Sequence, residues 1–217
     1  MIRYTKNLSF DLIVDKIKKE IPFSFSRWGD GEFYCMLGNR GKNCDGHVYF
    51  KGLREQLLNV IRSNTPYYTG LQGLANRVLC EDPNYIKLIS NKNWCYSDML
   101  HEESQNGKMY QLVNAMNGKH KILVGSRHLE KLPFKFDHVV IPDDNCWLNV
   151  AETQFKIGTL VRPGSIILYS ASMMSNVLID RFHSDNFTQI DCGSVWDPYV
   201  GRRIRGYQKK MRVKALC

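Results

Sequence analysis

Four short apolar runs alternate with helical segments in the second half of the chain, and this alternation limits the fold more than any other feature. Each run has the length and composition of a buried parallel strand and leads into a polar or glycine-containing turn. The segments 145–160 and 172–182 between them have apolar residues at helical spacing. Such alternation predicts an α/β fold: a Rossmann-like, mostly parallel open sheet with helices on both faces, in a single domain of residues 1–217. The predicted strands are 121–125, 138–142, 165–169 and 188–191.

The first half has weaker but similar signals. The spacing of Met109, Leu112 and Met116 predicts one helix over 104–116, with this apolar stripe in the core. In the second half, Leu148, Ala151, Phe155 and Ile157 mark the apolar face of the helix over 145–160. The remaining predicted helices are 10–20, 32–37, 50–62, 71–79 and 84–90, and the remaining predicted strands are 23–27, 67–69 and 94–96.

An acidic corner joins the first predicted strand to the helix that follows it. Its turn residues, Gly29 and Gly31, let the backbone bend sharply, so that Asp30 and Glu32 project from one strand-to-helix corner. Oxygen ligands in this arrangement suit Mg2+ or Mn2+ that also touches a diphosphate. Arg27 adds a fixed positive fork for phosphate. The alternative interpretation is that Asp30 caps the helix, with Glu32 placed favourably against the helix dipole.

The string SRWGDGE, residues 26–32, resembles the RxGDGE signature of the GT-D glycosyltransferases, a bacterial family that uses nucleotide sugars. The resemblance implies a Rossmann-like fold, a nucleotide-sugar donor and dependence on a divalent metal. It assigns the metal and the sugar diphosphate to the D-x-E element, here Asp30 and Glu32. Ser172 departs from the pattern, because the family often has glycine there. Four segments of the second half also follow the family's order: 122–125, 139–142, 168–172 and 190–194.

Polar turns follow each predicted strand of the second half, and the resemblance and the turn chemistry together point to a donor site there. Small residues after a strand leave backbone N–H groups free for phosphate or ribose. For any single turn, ordinary loop and capping chemistry is the alternative. Parallel strands, however, bring their carboxyl ends to one edge of the sheet. The candidate donor-binding residues are Arg27, Gly29, Gly31, Gly125, Ser126, Asn145, Ser172, Asp191 and Ser194.

The expected reaction is metal-dependent glycosyl transfer, with a UDP-sugar as the first donor to consider. Mn2+ or Mg2+ held by Asp30 and Glu32 would neutralise the departing diphosphate. The acceptor hydroxyl needs a base, for which Asp143, Asp144 and Asp191 are all candidates. We take Asp144 together with Asp30 and Glu32 as the predicted catalytic set.

The formal net charge is +9, and seven positive residues without any acid lie in the basic C-terminal tail, 201–217. Such a tail attracts nucleic acid, anionic lipid or the phosphates of a donor; a solvated, frayed terminus is the alternative. Trp196, Tyr199 and Tyr207 lie within or near the tail and are predicted to stack on an unpaired base. The candidate acceptor-binding residues are Arg202, Arg203, Arg205, Tyr207, Lys209 and Lys210.

These charges leave several acceptors and functions open. The first hypothesis is a hydroxymethylated pyrimidine in DNA of the phage type, because its hydroxyl is a nucleophile and basic residues bind phosphates. The second is a cell-surface polysaccharide or a glycoprotein. A third hypothesis, from another class, is a non-catalytic nucleic-acid-binding domain whose D-x-E is only a helix cap. A metal-dependent nuclease or phosphotransferase is the fourth.

Seven cysteines without a C-x-x-C pair predict free thiols in a reducing compartment. The sequence contains no run of about 18 apolar residues, so it predicts no transmembrane helix. The first ten residues lack the apolar core of a signal peptide. We therefore expect a cytoplasmic protein, located in the host cytoplasm if a phage encodes it.

Overall fold

A computed structural model describes residues 3–64, 66–90, 92–211 and 215–216 of the chain. Seven strands form one sheet. Their bounds agree with the predicted ones to within two residues at each end. The strands are β1 (Ser24–Trp28), β2 (Tyr68–Leu71), β3 (Trp94–Tyr96), β4 (Lys121–Ser126), β5 (Asp137–Ile141), β6 (Ile166–Ser170) and β7 (Thr188–Asp191).

All neighbouring strands of the sheet run parallel, in the order β3-β2-β1-β7-β6-β4-β5. Strands β1 and β7 lie side by side near the middle, with β2 and β3 on one side and β4, β5 and β6 on the other. The carboxyl ends of the strands therefore meet at one edge, where open α/β sheets bind their ligands. The predicted Rossmann-like α/β class is confirmed.

Helices connect the strands and cover the sheet. Ser9 caps the first helix, as its sequence suggests, by accepting the N–H of Leu12 at 3.2 Å. No helix within the described ranges is both long enough and apolar enough to cross a membrane. The α-helices are α1 (Phe10–Lys18), α2 (Asp30–Leu37), α3 (Lys51–Arg62), α4 (Gly73–Val78), α5 (Pro83–Ile89), α6 (Met99–Gln105), α7 (Met109–Ala115), α8 (Val150–Leu160) and α9 (Met174–Arg181).

The central strands are buried on both faces, which explains why their sequences are continuously apolar. Leu123 of β4 packs with residues of α1 and α7 on one face. Its neighbours Ile122 and Val124 pack on the other face with residues of α8 and α9. Side chains that alternate along a strand point to opposite faces, so the predicted cover of helices on both faces is confirmed.

The single helix predicted over 104–116 is wrong, because the chain forms two helices there, α6 and α7. Gly107 lies between them at φ +70°, a left-handed conformation that an α-helix cannot continue through. The apolar stripe is nevertheless in the core, since Met109, Leu112 and Met116 are fully buried. The side-chain pattern was therefore correct, and only the backbone break was missed.

The predicted apolar face of the helix over 145–160 is also wrong in part. Residues 146–149 form a 3-10 turn before α8 starts, and Leu148 and Phe155 are 69% and 72% exposed. Thr153 and Ile157 are the buried residues of α8. A 3-10 turn has about three residues per turn instead of 3.6, so side chains before and inside α8 do not share one face.

Replacement of Gly70 by alanine is expected to lower the free energy of unfolding by about 1–3 kcal/mol, because it overpacks the core. A Cβ there would lie 2.7 Å from Phe25 Cε2 and 2.8 Å from Ser97 Cβ, and Phe25 is fully buried. Urea denaturation measures the loss. In the matched control Gly158→Ala, no atom lies within 4 Å of the added Cβ, so α8 should be unchanged or slightly stabilised. Equal stabilities of the two variants would contradict the packing account.

Candidate active site

A cleft of about 640 Å³ opens at the carboxyl edge of the sheet. Residues at the ends of β1, β2, β3, β4, β6 and β7 line it, together with part of the C-terminal segment. The cleft therefore brings together residues that lie far apart in the sequence. The predicted site residues that line it are Arg27, Gly29, Asp30, Gly31, Glu32, Ser126, Ser172, Asp191, Ser194, Arg202, Arg205 and Tyr207.

Helix α2 begins at the acidic corner, two residues earlier than predicted, with Gly29 as its N-cap. The Glu32 carboxylate accepts the N–H of Gly29 at 2.8 Å, and Asp30 Oδ1 accepts the N–H of Gly31 at 3.0 Å. Glu32 therefore accepts the N–H group of the N-cap residue at the start of α2 and also lines the cleft. A Cβ on Gly29 would lie 2.7 Å from Gln72 Oε1, so this glycine leaves room for the side chain of Gln72.

Two carboxyl groups of the cleft hold their protons more tightly than usual. Burial raises the pKa of Glu32 to about 7; the N–H of Gly29 opposes this shift, and the charge of Asp191 adds to it. Burial also raises the pKa of Asp191 to about 6, against the opposing effect of Arg27. Removal from water disfavours the charged form of an acid. Acids with this property are common among functional groups.

Arg27 lies in the floor of the cleft, where β1 and β7 are neighbours. Its backbone N–H donates to Asp191 Oδ2 at 3.3 Å, and its Nε donates to the Ser97 carbonyl at 3.3 Å. Its Nη2 lies 3.9 Å from Asp98 Oδ1. A Cβ on Gly193 would lie 2.2 Å from Arg27 Nη1. The absence of a side chain at Gly193 therefore leaves room for the guanidinium.

The first part of the basic C-terminal tail folds back and forms one wall of the cleft. Arg202 Nη1 donates to His128 Nδ1 at 2.9 Å, and His128 Nε2 lies 2.9 Å from Asp197 Oδ1. Because arginine cannot accept a hydrogen bond, His128 Nδ1 is the acceptor in the contact with Arg202. Arg202 also lies 3.7 Å from Asp143 Oδ2. The wall is thus anchored to the ends of β4, β5 and β7.

A second arginine ties this wall to the polar loop 39–48. Arg205 Nη1 donates to Cys44 Sγ at 2.6 Å, and Arg205 Nη2 forms an ion pair with Asp45. Gln208 is fully buried beneath the wall, and its Oε1 accepts the N–H of Arg205 at 2.9 Å. These contacts hold the loop and the wall on opposite sides of the same opening.

The other predicted acceptor-binding cations of the tail do not line the cleft among the described residues. Arg203 and Lys209 are exposed to solvent. The side chain of Lys210, and Arg212 and Lys214 as a whole, lie outside the described residues. Arg203 and Lys209 are therefore the described cations of the tail that remain open to a partner outside the cleft.

The predicted stacking role of Trp196 is wrong, because its side chain is fully buried. It packs at 5.4 Å from the ring of Phe134 in the core, where burial of its large apolar surface stabilises the fold. Tyr199 is half-buried and packs against the same cluster. Tyr207 lines the cleft, with its ring 5.4 Å from that of His101.

Of the predicted donor-binding and catalytic residues, Gly125, Asp144 and Asn145 are not among the described residues that line the cleft. A Cβ on Gly125 would lie 2.7 Å from the side chain of Leu129, so the absence of a side chain at Gly125 leaves room for Leu129 to pack there. Asn145 Oδ1 accepts a backbone N–H of the loop 39–48 at 2.9 Å. The neighbouring carboxylate, Asp143, does line the cleft.

Several residues of the cleft were missed from the sequence. His101 Nδ1 and Ser170 Oγ are buried there and have no hydrogen-bond partner among the described residues. Burial, with Arg27 and Arg205 nearby, holds the pKa of His101 well below its ordinary value. No motif marks His101, which belongs to α6, whereas Ser170 ends a predicted strand and could have been found by position. Further missed residues of the lining are Asn43, His47, Gln72, Asp98 and Gln105.

The acidic corner fits a divalent cation only if the ion is shared with a ligand. Among the described residues, no group of three or more His, Cys, Asp or Glu side chains is arranged to hold a metal ion. Asp30 and Glu32 provide two carboxylates on the first turn of α2. Mg2+ is commonly bound by one or two carboxylates, water and the phosphates of a substrate. The donor set suits an ion completed by phosphate oxygens.

Replacement of Gly193 by alanine is expected to lower the free energy of unfolding by about 1–2 kcal/mol, because its φ of +53° disfavours a Cβ. Contact with Arg27 Nη1 should add to this cost. Urea denaturation of Gly193→Ala, Arg27→Ala and the double variant separates the two terms. If the guanidinium of Arg27 occupies the space beside Gly193, Gly193→Ala lowers the free energy of unfolding by less in the Arg27→Ala background than in wild type. The same cost in both backgrounds would contradict the observed packing.

The raised pKa of Asp191 predicts a pH-dependent effect of Asp191→Asn. The carboxyl ionises near 3.8 in the unfolded chain but only near 6 when folded, so wild type loses stability as the pH rises between these values. Asparagine does not titrate. The free energy of unfolding of Asp191→Asn minus that of wild type is therefore expected to increase from pH 4 to 6 and then to level off. Urea denaturation without divalent metal measures it, and a difference independent of pH would contradict the shift.

Comparison with known proteins gives matches at the level of structure. No protein-family model matches the chain, and no curated protein matches it. A structure described as a selenomethionine-substituted domain of unknown function 1792 matches with a TM-score of 0.68 at 14% identity, over 95% of this chain and 90% of that one.

Two further structures agree with this match. A structure described as the highly conserved domain of unknown function 1792 with a distinct glycosyltransferase fold has a TM-score of 0.67 at 14% identity, over 95% and 90% of the two chains. A structure described as a new glycosyltransferase from Streptococcus sanguinis has a TM-score of 0.69 at 14% identity, over 88% of this chain and 82% of that one. The chain therefore has the fold of the domain 1792 structures, one of which is described as having a distinct glycosyltransferase fold.

Proposed function

We propose that this chain is a glycosyltransferase that takes its sugar from a nucleotide-sugar donor. The observation that carries the proposal is one cleft in which the acidic start of α2 and three arginines, Arg27, Arg202 and Arg205, line the carboxyl edge of the sheet. A departing diphosphate needs positive charge as its own charge builds. The shared fold supports the proposal, because two of the matching structures are described in terms of glycosyltransferases.

A divalent cation, Mn2+ or Mg2+, is part of the proposal. Asp30 and Glu32 would hold it from the first turn of α2, with phosphate oxygens of the donor completing its ligands. When bound, such an ion supplies positive charge to the leaving diphosphate and orients it. Burial raises the pKa of Glu32 to about 7, and the charge of a bound cation together with the positive end of the α2 dipole would favour its ionised form.

The other residues of the cleft divide into phosphate-binding and nucleoside-binding groups. Arg27 is half-buried at the floor and held by the Ser97 carbonyl and the Asp98 carboxylate, so its fork is preorganised for a diphosphate. Ser126, Ser172 and Ser194 line the cleft after three different strands, and their hydroxyls can donate to or accept from a ribose or base. A UDP-sugar is the first donor to test.

The proposed general base is a carboxylate of the cleft that changes protonation near neutral pH. Asp191 has a pKa raised to about 6 by burial, close to the working pH that favours proton transfer. Asp143 also lines the cleft but pairs with Arg202 at 3.7 Å. Asp144, taken from the sequence as the catalytic residue, does not line the cleft, and we therefore place Asp191 first.

For the acceptor we propose DNA that carries a hydroxymethylated pyrimidine as the first candidate. Arg203 and Lys209 are exposed in the C-terminal segment, outside the lining of the cleft, and can bind backbone phosphates. Asp98, just after β3, and Glu102, in α6, line the cleft, and their negative charge repels phosphates. They favour the alternative, a hydroxyl of a cell-surface polysaccharide or glycoprotein. Transfer of labelled sugar to each acceptor, with unmodified duplex DNA as competitor, distinguishes the two.

We propose the cytoplasm as the location. Cys35, Cys95, Cys146 and Cys192 are buried free thiols, and Cys44 and Cys80 are also unpaired in the described chain. Unpaired thiols are typical of proteins kept in a reducing compartment. Cys217 lies outside the described residues.

The proposal predicts metal-dependent stabilisation by one nucleotide sugar. UDP-, GDP- and CMP-sugars are screened by thermal denaturation with and without Mn2+ on wild type, Asp30→Asn and Asp185→Asn. A donor at 100 times its Kd stabilises a protein by about 2.7 kcal/mol. We expect this effect in wild type with Mn2+, and its loss in Asp30→Asn.

Asp185→Asn is the matched control, because Asp185 is exposed and does not line the cleft; it should behave as wild type. Stabilisation of equal size in Asp30→Asn would remove the acidic corner from the proposed mechanism. No stabilisation by any donor, together with salt-sensitive DNA binding that survives Asp30→Asn, would leave the basic binding domain as the function.

A further inference from the structure

A second cavity, of about 790 Å³, lies at the opposite edge of the sheet from the cleft. We call it the amino-edge pocket; its lining comes from the end of α2, from α3 and α5, from the residues just before β3, and from Lys6 and Thr69. Its lining shares no residue with that of the cleft. A ligand bound here is therefore separate from the proposed donor site.

The charge of the amino-edge pocket has one sign. Among the described residues that line it, five are basic and none is acidic. Like charges gathered in one concavity repel one another and attract anions, an effect that its low-dielectric walls strengthen. The basic residues are Lys6, Arg54, Arg62, Lys87 and Lys92.

Carbonyl groups at helix C-termini neutralise part of this positive charge. Arg54 Nε donates to the Met36 carbonyl at 3.1 Å, at the end of α2. Lys92 Nζ donates to the Ser63 carbonyl at 2.7 Å, just beyond α3. Each helix C-terminus has roughly half a negative charge, so the ends of α2 and α3 together offset about one of the five positive charges and leave about four.

The uncompensated charge lies at the entrance of the pocket. Arg62 and Lys87 are exposed, and neither forms an ion pair or a side-chain hydrogen bond with the described part of the chain. Lys6 Nζ donates to the Tyr67 carbonyl at 3.1 Å and has further N–H groups to offer. These side chains can turn towards a bound anion without breaking an ion pair.

The remaining lining suits a small organic molecule better than a bare ion. Met36 and Ile61 are buried and give the pocket an apolar floor, while Asn64, Asn84 and Asn93 bring amide groups. Pockets for small ligands have volumes of about 300–1,000 Å³, mostly apolar walls and a few polar groups that fix orientation. The amino-edge pocket is within this range of volumes, but its lining is mainly polar, with a smaller apolar part that includes Met36 and Ile61.

We propose that the amino-edge pocket binds a small organic anion that carries phosphate groups, at a site distinct from the cleft. Arg62, Lys87 and Lys6 bind the phosphates, and the apolar floor contacts the organic part. Free nucleotides and phosphorylated sugars share this chemistry. The proposal is independent of glycosyl transfer, because no residue of the cleft contributes to it.

The test is a calorimetric titration in EDTA with inorganic phosphate, pyrophosphate, ADP and glucose 6-phosphate as probes. The variant is Arg62→Glu/Lys87→Glu, and the matched control is Lys18→Glu/Lys135→Glu, whose lysines are exposed and line neither cavity. We expect the charge reversal in the pocket to weaken the tightest probe about ten-fold or more, since it removes charged hydrogen bonds to the phosphates and adds like-charge repulsion. The control should bind as wild type.

Titrations with ADP and with glucose 6-phosphate show which organic group the pocket prefers. Tighter binding of either probe than of pyrophosphate supports the proposed contact with the apolar floor. Equal affinity of wild type and Arg62→Glu/Lys87→Glu for every probe would overturn the proposal and place the anion elsewhere. Loss of duplex DNA binding in that variant, without any effect on the small probes, would also overturn it in favour of a polyanion surface. Stabilisation by a nucleotide sugar and Mn2+ should survive in the variant, so the two proposals fail separately.

Discussion

Arg27 and Asp191 meet between β1 and β7 near the middle of the sheet, and the arrangement of the cleft depends on this contact. The buried Asp191 carboxylate accepts backbone N–H groups from Arg27 and from Gly193. The guanidinium of Arg27 then lies over Gly193, in space that any side chain there would fill. A buried carboxylate and a buried cation are tolerable together because each reduces the electrostatic cost of the other. The acidic start of α2, Asp30, follows three residues after Arg27, so its position depends on the same contact.

The basic C-terminal tail has a different role from the one its composition suggests. A run of arginines and lysines without acids is typical of a free polyanion-binding arm. In the structure, Arg202 contacts His128 and Asp143, and Arg205 contacts the loop 39–48. Two of the charges therefore complete a wall of the cleft. Their positive charge is therefore held at the cleft, where the low-dielectric surroundings make its interaction with another charge stronger than in solvent.

Sequence patterns predicted the strands well and the helix faces less well, for a physical reason. A buried parallel strand is apolar on both faces, so its apolar run is visible without knowledge of its neighbours. A helix face is defined only by what packs against it. Leu148 faces solvent because it lies in a 3-10 turn before α8, and Phe155 faces solvent because it lies on the side of α8 opposite the buried Ile157. The break at Gly107 was missed because a glycine alone does not reveal a positive φ.

By itself, the sequence determined the α/β class, the strand positions and the acidic corner, since these follow from local composition and from turn chemistry. The tertiary structure alone decided which polar groups share the cleft. It placed His101 and Gln72 beside Arg27 and the acidic corner, and it selected Asp143 over Asp144 as a lining residue. Contacts between residues far apart in the chain depend on strand order and on the path of the C-terminal segment. Neither leaves a local pattern, because both are set by the packing of the whole sheet.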